Sequence, residues 1–424
     1  MNINLAYGDG YLPVEFPEGR TTVIAPTHRP GLPDERSAVV AALEQPIGTA
    51  PLRALIKPSD KLCVLFTDIT RATPNDRLIP WLLDHLKDHP RKNITLLNQL
   101  GTHRPNTRAE LERMLTPEVV RDYRVLNHEP ENDDSLVQLG VTRSGAPALL
   151  NRHAVEADWR IVTGFIEPHF FAGFSGGPKG IMPGVAGLKT VMSNHGYANM
   201  GDPRATFGVT EGNPVWDEIR EIALRTGPQF LLNVTLNEDR QITGVFAGDL
   251  LAAHRTGCEF VRASAMQPVA QPFAIVVTTN SGYPLDQNLY QGVKGMGAGA
   301  RILKHGGLLI LACECREGVP AGSPCDRLLR ECASPEELLT LLATPGFARP
   351  EQWQGQIQAL IQRRARVLVK SSLPDEVLKA CHLTPCRDIA ADVTAELQRL
   401  GPAASVAVLP QGPLTIPYLT TVRP

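Results

Sequence analysis

Short, nearly unbroken apolar runs recur along this chain, each followed by a polar loop and then by a segment with helical spacing. They lie at 61–67 (KLCVLFT), 93–98 (NITLLN), 159–164 (WRIVTG), 273–278 (FAIVVT), 307–312 (GLLILA), 366–369 (RVLV) and 405–409 (SVAVL). A strand with one wet face alternates apolar and polar residues. Continuous runs belong to strands covered on both faces, as in parallel sheets flanked by helices. Parallel neighbours also need a long crossover, and the intervening helical segments supply it. The expected fold is therefore α/β, with two domains whose parallel-type sheets are flanked by helices and an active site in the cleft between them.

The chain's 424 residues suit two or three domains at roughly 100–200 residues each. The simplest division puts an N-terminal domain at 1–270 and a C-terminal domain at 271–403, with the tail 404–424 packing back on the first. Further elements are a strand at 21–25, helices at 34–43 and 74–86, and a helix start at Thr107 with Glu110 completing a capping box. A hairpin is expected at 230–236 and 242–246, then a helix over 249–265 and a linker at 267–271. Later helices are expected at 286–304, 350–363 and 390–400.

Composition removes several classes of function. A net charge of −2 leaves no basic footprint for nucleic acid. No apolar run approaches the roughly 18 residues that cross a bilayer. The N-terminal MNINLAYGDG lacks the basic and apolar parts of a signal peptide, so a cytoplasmic location is expected. The eight cysteines lack paired CxxC spacing and read as reduced thiols rather than zinc ligands. Nothing in the sequence marks an oligomer interface.

The polar signatures lie just past the carboxyl ends of the expected strands: DITR at 68–71, GTHR at 101–104, EPHFFAGFSGG at 167–177 and NSGYPLDQNLYQGVKG at 280–295. Open α/β sheets bind ligands at that edge. His103 and His169 stand in two of these loops, and imidazoles titrate near neutrality, so both are candidate acid–base groups. Arg71 offers a planar fork for a carboxylate, with Asp68 in the same loop. Tyr290 and Lys294 share a helix face, with Gln291 beside them.

The densest stretch is 167–200. Its glycines, Gly176 and Gly177 among them, suggest a backbone cradle for an anion, with a helix over 185–194 adding its N-terminal partial charge. GFSGGPKG around Lys179 approaches the phosphate-loop pattern. Pro178 replaces its second glycine and Gly180 its magnesium-binding hydroxyl, which argues against nucleotide hydrolysis. A permanently held phosphorylated cofactor, gripped by Lys179 and His195, fits better.

DITR, GTHRP, EPHFFAGFSGGPKG, the SNH at 193–195, LYQGVKG at 289–295 and WQGQ at 353–356 together resemble the nickel-dependent lactate racemase family. The likeness runs along nearly the whole chain. It implies a nickel-pincer nucleotide, a pyridinium mononucleotide that holds nickel through two sulfurs and a ring carbon. Lys179 would tether it as a thioamide and His195 would be the fourth ligand of a square-planar site. Gly176, Gly177, Asp68 and Trp353 would lie along the cofactor. Arg71, Tyr290, Gln291 and Lys294 would bind the substrate, a small 2-hydroxy acid. His103 and His169 would exchange the hydroxyl proton on opposite faces while hydride leaves and returns to Cα.

Two other readings start from the same residues. One is a non-catalytic protein that binds a phosphorylated cofactor. The other is a hydrolase using a divalent metal on His103, His169 and His195.

Overall fold

The structure, a computed structural model, describes residues 1–420. The chain forms two compact units. The first comprises His28–His195 and Thr210–Ala263; the second comprises Met1–Thr27, Gly196–Val209 and the chain from Ser264 onward.

The first unit is built on a six-stranded sheet in the order Ile242–Gly248, Gln229–Leu236, Trp159–Phe165, Leu62–Phe66, Ile94–Asn98, Arg124–Asn127. All neighbours are parallel except the first two, which form the expected hairpin. Val64, Phe66, Leu96, Ile161, Phe230 and Leu232 point into one core with Leu78, Ile79 and Leu82 of the helix Asn75–His85. The helix Arg108–Leu115 opens on the Thr107–Glu110 capping box. The helix Pro214–Leu224 opens on Asn213, whose side chain accepts two backbone N–H groups, with proline in the first turn where no hydrogen bond is lost.

Strand order positions the loops. From Leu62–Phe66 the chain adds Ile94–Asn98 and then Arg124–Asn127 on one side, and returns to add Trp159–Phe165 on the other. The carboxyl ends of Leu62–Phe66 and Trp159–Phe165 therefore flank the reversal of strand order, where crossovers diverge and leave a crevice. The loops 67–71 and 166–177 leave from those ends, and the loop 99–106 leaves from the adjoining strand.

The second unit has six parallel strands in the order Thr384–Pro385, Arg366–Lys370, Leu303–Ala312, Phe273–Thr279, Val406–Leu409, Thr21–Val23. A hairpin, Asn2–Tyr7 with Gly10–Glu15, covers part of one face and contributes Ile3, Leu5, Val14 and Phe16 to the core with Ile275, Val277 and Ile310.

Several boundaries differ from the expectation. Residues 1–27 and 196–209 group with the C-terminal part of the chain, not with an N-terminal domain 1–270. The described part of the tail, 404–420, pairs inside the second unit, because Val406–Leu409 fills the place between Phe273–Thr279 and Thr21–Val23. The expected linker 267–271 contains the strand Met266–Val269, paired with Ile416–Leu419. The expected helix 286–304 is Leu289–Ala300. It begins late because Asn288 caps it and Asp286 is held in the preceding loop by the N–H groups of Gly8 and Glu314. The expected amphipathic helix 350–363 is Gln352–Gln362, with Gln352, Gln354, Gln356 and Gln358 all buried. The amides of Gln354, Gln356 and Gln358 donate to backbone carbonyls and Gln352 Oε1 accepts the Arg349 N–H, so a polar sequence pattern does not here mark a wet face.

Candidate functional site

Three loops of the first unit come together. His103 Nδ1 lies 2.7 Å from Asp68 Oδ2, and Asp68 is only 2 % exposed. The other carboxylate oxygen accepts the Thr70 N–H at 2.7 Å and its hydroxyl at 2.5 Å. Burial alone pushes the Asp68 carboxyl up. The His103 hydrogen bond and charge, with Arg71 and Thr70, outweigh that and hold it well below the usual carboxylate range. Asp68 is thus ionised, with one carboxylate oxygen on His103 and the other on Thr70. A carboxylate accepts from Nδ1–H, so the neutral His103 ring keeps its lone pair on Nε2. The Arg71 side chain is exposed beside them.

The second loop is braced to the third. Gly101 N–H donates to the Gly184 carbonyl at 2.9 Å, and Gln99 Nε2 donates to the Thr163 carbonyl at 2.7 Å. Beyond Trp159–Phe165 the chain makes a two-residue ladder, Pro168–His169 against Gly173–Phe174, which turns the Phe170–Phe171 tip.

Phe171 is the hub of this loop, and it is 4 % exposed. Its ring centroid lies 4.5 Å from that of His169 and 4.8 Å from that of His195, both edge-on, and 5.6 Å from Lys179 Nζ. One aromatic side chain thus gathers three basic groups spread over residues 169–195. Phe171 is unmarked in the sequence, because an aromatic residue beside a histidine has no motif of its own. Ala172 N–H reaches His169 Nδ1 at 3.3 Å, which leaves the proton of the neutral ring on Nε2.

His195 is 4 % exposed, at the carboxyl end of the helix Leu188–Asn194. Burial first, and the nearby Lys179 charge second, push its pKa down to about 3, so the ring is neutral at ordinary pH.

The glycine turn is not the open cradle of N–H groups that its sequence suggests. The N–H groups of residues 177, 179, 181, 182 and 184 are already hydrogen-bonded, that of Gly177 to Asn233 Oδ1 at 2.8 Å and the others to carbonyls within the turn. A Cβ on Gly176 would stand 2.4 Å from Asn233 Oδ1, and one on Gly177 2.5 Å from the His254 ring. Close packing against protein, with positive φ at both positions, is what requires these glycines. The following helix is Leu188–Asn194, not 185–194, and its first N–H donates to the Pro130 carbonyl. The loop is held instead by Asn233 and by His254, whose Nε2 lies 2.8 Å from the Ser175 carbonyl. Burial pushes the pKa of His254 down to about 4. Both residues brace the loop and carry no sequence motif.

In the second unit, Tyr290, Gln291 and Lys294 lie half-buried on the helix Leu289–Ala300. Trp353 Nε1 donates to Tyr290 Oη at 3.2 Å, and Gln354 Nε2 donates to the Tyr290 carbonyl. Indole N–H can only donate, so the Tyr290 oxygen accepts there.

Among the described residues no three His, Cys, Asp or Glu side chains come together in a way that could hold a metal ion, and no helix is long and apolar enough to cross a membrane. His103, His169 and His195 accordingly do not form such a cluster. All eight cysteines are free thiols and buried.

Comparison with known proteins agrees along nearly the whole length. Residues 7–208 match the model of the lactate racemase N-terminal domain, and residues 269–416 that of the lactate racemase C-terminal domain. The lactate racemase of Thermoanaerobacterium thermosaccharolyticum is 35 % identical over 419 residues, spanning 97 % of this chain and 98 % of that one. The lactate racemase of Lactiplantibacillus plantarum is 36 % identical over 382 residues, 89 % of this chain and 90 % of its own. The solved lactate racemase apoprotein from T. thermosaccharolyticum superposes with a TM-score of 0.92, covering 98 % of this chain and 100 % of that one at 34 % identity. The chain belongs to the lactate racemase family.

Proposed function

We propose that this protein racemises or epimerises a small 2-hydroxy acid of the lactate type, using a nickel-pincer nucleotide. The observation that carries the reading is the gathering of His169, Lys179 and His195 around the Phe171 ring, in the same unit as the Asp68–His103 pair.

The residues suit such a group. It brings three of its own donors to the metal and asks the protein for one, which matches a single buried, neutral histidine better than a ligand cluster. His195 would be that ligand, and Lys179, rather than the occupied N–H groups of the glycine turn, would be the loop's hold on the nucleotide. When bound, the cofactor supplies the acceptor and donor of hydride at the substrate's Cα.

The chain's own residues do the rest. Arg71 binds the substrate carboxylate with its fork and keeps the 2-keto acid from leaving. His103, with Nδ1–H given to ionised Asp68, takes the hydroxyl proton at Nε2, and Asp68 stabilises the resulting imidazolium. His169 serves the opposite face. In both of its working forms, imidazolium donor and neutral acceptor at Nε2, Nδ1 carries a proton, so its contact with Ala172 N–H is released during turnover. Tyr290, Gln291 and Lys294 contribute further hydrogen bonds to the substrate, with Tyr290 fixed by Trp353.

Loaded protein incubated with single enantiomers of lactate and other short 2-hydroxy acids is expected to give racemic product on chiral chromatography. His103→Ala and His169→Ala should each abolish conversion while the protein still folds, as read by circular dichroism. Cα hydrogen should stay on carbon in heavy water. Rapid deuterium uptake there, or full activity in either variant, would sink the two-base hydride mechanism. A non-catalytic cofactor carrier predicts inactivity across the panel. The carboxylate-oriented base at His103 speaks against it, since mere binding has no need of one.

A further inference from the structure

Behind His195 runs a chain of side chains that the reaction above does not use. His195 Nδ1 stands 2.9 Å from Asn194 Oδ1. Asn194 Nδ2 donates to Glu218 Oε2 at 2.8 Å and to the Val215 carbonyl at 3.1 Å. Glu218 Oε1 in turn accepts the Arg143 backbone N–H at 2.6 Å. Glu218 is 1 % exposed, and Asn194 is fully buried.

The direction of every link is forced. A carbonyl oxygen and a carboxylate oxygen have no hydrogen to give, so the Asn194 atom facing both is its NH₂ group. The atom facing His195 is then the amide oxygen, which only accepts. Nδ1 must carry the ring hydrogen, and Nε2 of the neutral ring keeps its electron pair. Arg143 does not cancel the arrangement. Its guanidinium is taken up by Glu221, with Nε 3.0 Å from Oε2, and only its backbone N–H serves Glu218.

We propose that Glu218, acting through Asn194, is the positioning residue that locks His195 in the Nδ1–H tautomer and so turns Nε2 into an electron-pair donor for the bound cofactor. This rests on the reading of His195 as the ligand. The device is a carboxylate–histidine pair with an amide inserted. The carboxylate sets ring orientation and polarises it along the hydrogen-bond chain, and its charge stays one side chain away from the imidazole. Removing such outer partners typically costs roughly 10- to 100-fold in metal affinity.

The test reads the tautomer directly. Side-chain nitrogen–hydrogen correlation spectra of histidine-labelled protein are recorded before cofactor loading, with the His195 resonances assigned by their loss in His195→Gln. Wild type is expected to show the Nδ1–H pattern. Glu218→Gln must aim an NH₂ group at either the Arg143 N–H or the Asn194 NH₂, so the His195 ring is expected to shift toward the Nε2–H form. After loading, nickel retained per chain on dialysis should fall in the same variant, by roughly 10- to 100-fold in affinity. Should Glu218→Gln not fold, Asn194→Ser carries the test, because its hydroxyl accepts or donates and releases the constraint. An Nε2–H wild-type ring, or both variants keeping the wild-type pattern, overturns the proposal. If the tautomer shifts as expected but His195→Gln retains nickel as well as wild type, the relay stands and the assignment of His195 as ligand fails.

Discussion

Asp68 and His103 show what one carboxylate does at the scale of a residue. Asn at position 68 keeps the size but loses the charge, and its amide can flip to donate, which favours the wrong His103 tautomer. Asp68→Asn is expected to lower kcat by roughly 10²- to 10⁴-fold with little change in KM, measured by chiral assay. The depressed Asp68 pKa also gives a sign to its effect on stability. A carboxyl whose folded pKa lies below its unfolded value stabilises the fold above that unfolded value, about 4, and loses the contribution as pH falls through the folded one. The melting-temperature gap between wild type and Asp68→Asn should therefore narrow as pH is lowered from about 5 toward 2. His103, His169, Arg71 and Lys179 stand out in the sequence as candidates because polar residues just past strand ends have few structural reasons to be there. Phe171, Asn233, His254 and Glu218 do not. Each acts through a spatial neighbour far away in sequence, and a buried side chain of ordinary type carries no local mark of that.

At the scale of elements, the strands were legible because continuous apolar runs admit few other placements, and the Thr107–Glu110 box marked its helix start correctly. The glycine turn was misjudged because sequence shows that a Cβ is excluded without showing what excludes it. Arg160 makes a related point inside the strand Trp159–Phe165. Its side chain is 2 % exposed and donates to the carbonyls of Ala154, Val155, Ala157 and Pro228. One guanidinium thus closes the turn before its own strand and ties it to the start of the neighbouring one. Arg160→Met fills similar volume but strands those carbonyls in the interior. It is expected to destabilise the protein by about 3 kcal/mol, read as a lower urea midpoint at unchanged slope.

For the whole molecule, the sequence suggested two consecutive domains because patterns are read along the chain, whereas a sheet takes its strands from wherever the chain supplies them. The chain passes between units after residues 27, 195, 209 and 263. A fragment beginning at Ser264 lacks the edge strand Thr21–Val23 and the hairpin that supplies Ile3, Leu5, Val14 and Phe16. It is expected to bind a hydrophobic dye and elute as aggregate on size exclusion, and to become monodisperse when residues 1–27 are co-expressed. The same pairing sets a timetable for biosynthesis. Thr21–Val23 is synthesised well before its partner Val406–Leu409. At roughly 5–20 residues per second the wait is on the order of 20–80 s. The histidine-bearing unit, by contrast, has its last residue, Ala263, well before Val406–Leu409 is made. The nascent chain can therefore present a finished first unit while its own N-terminal strand still awaits a partner, which makes that strand the natural client of a holding chaperone.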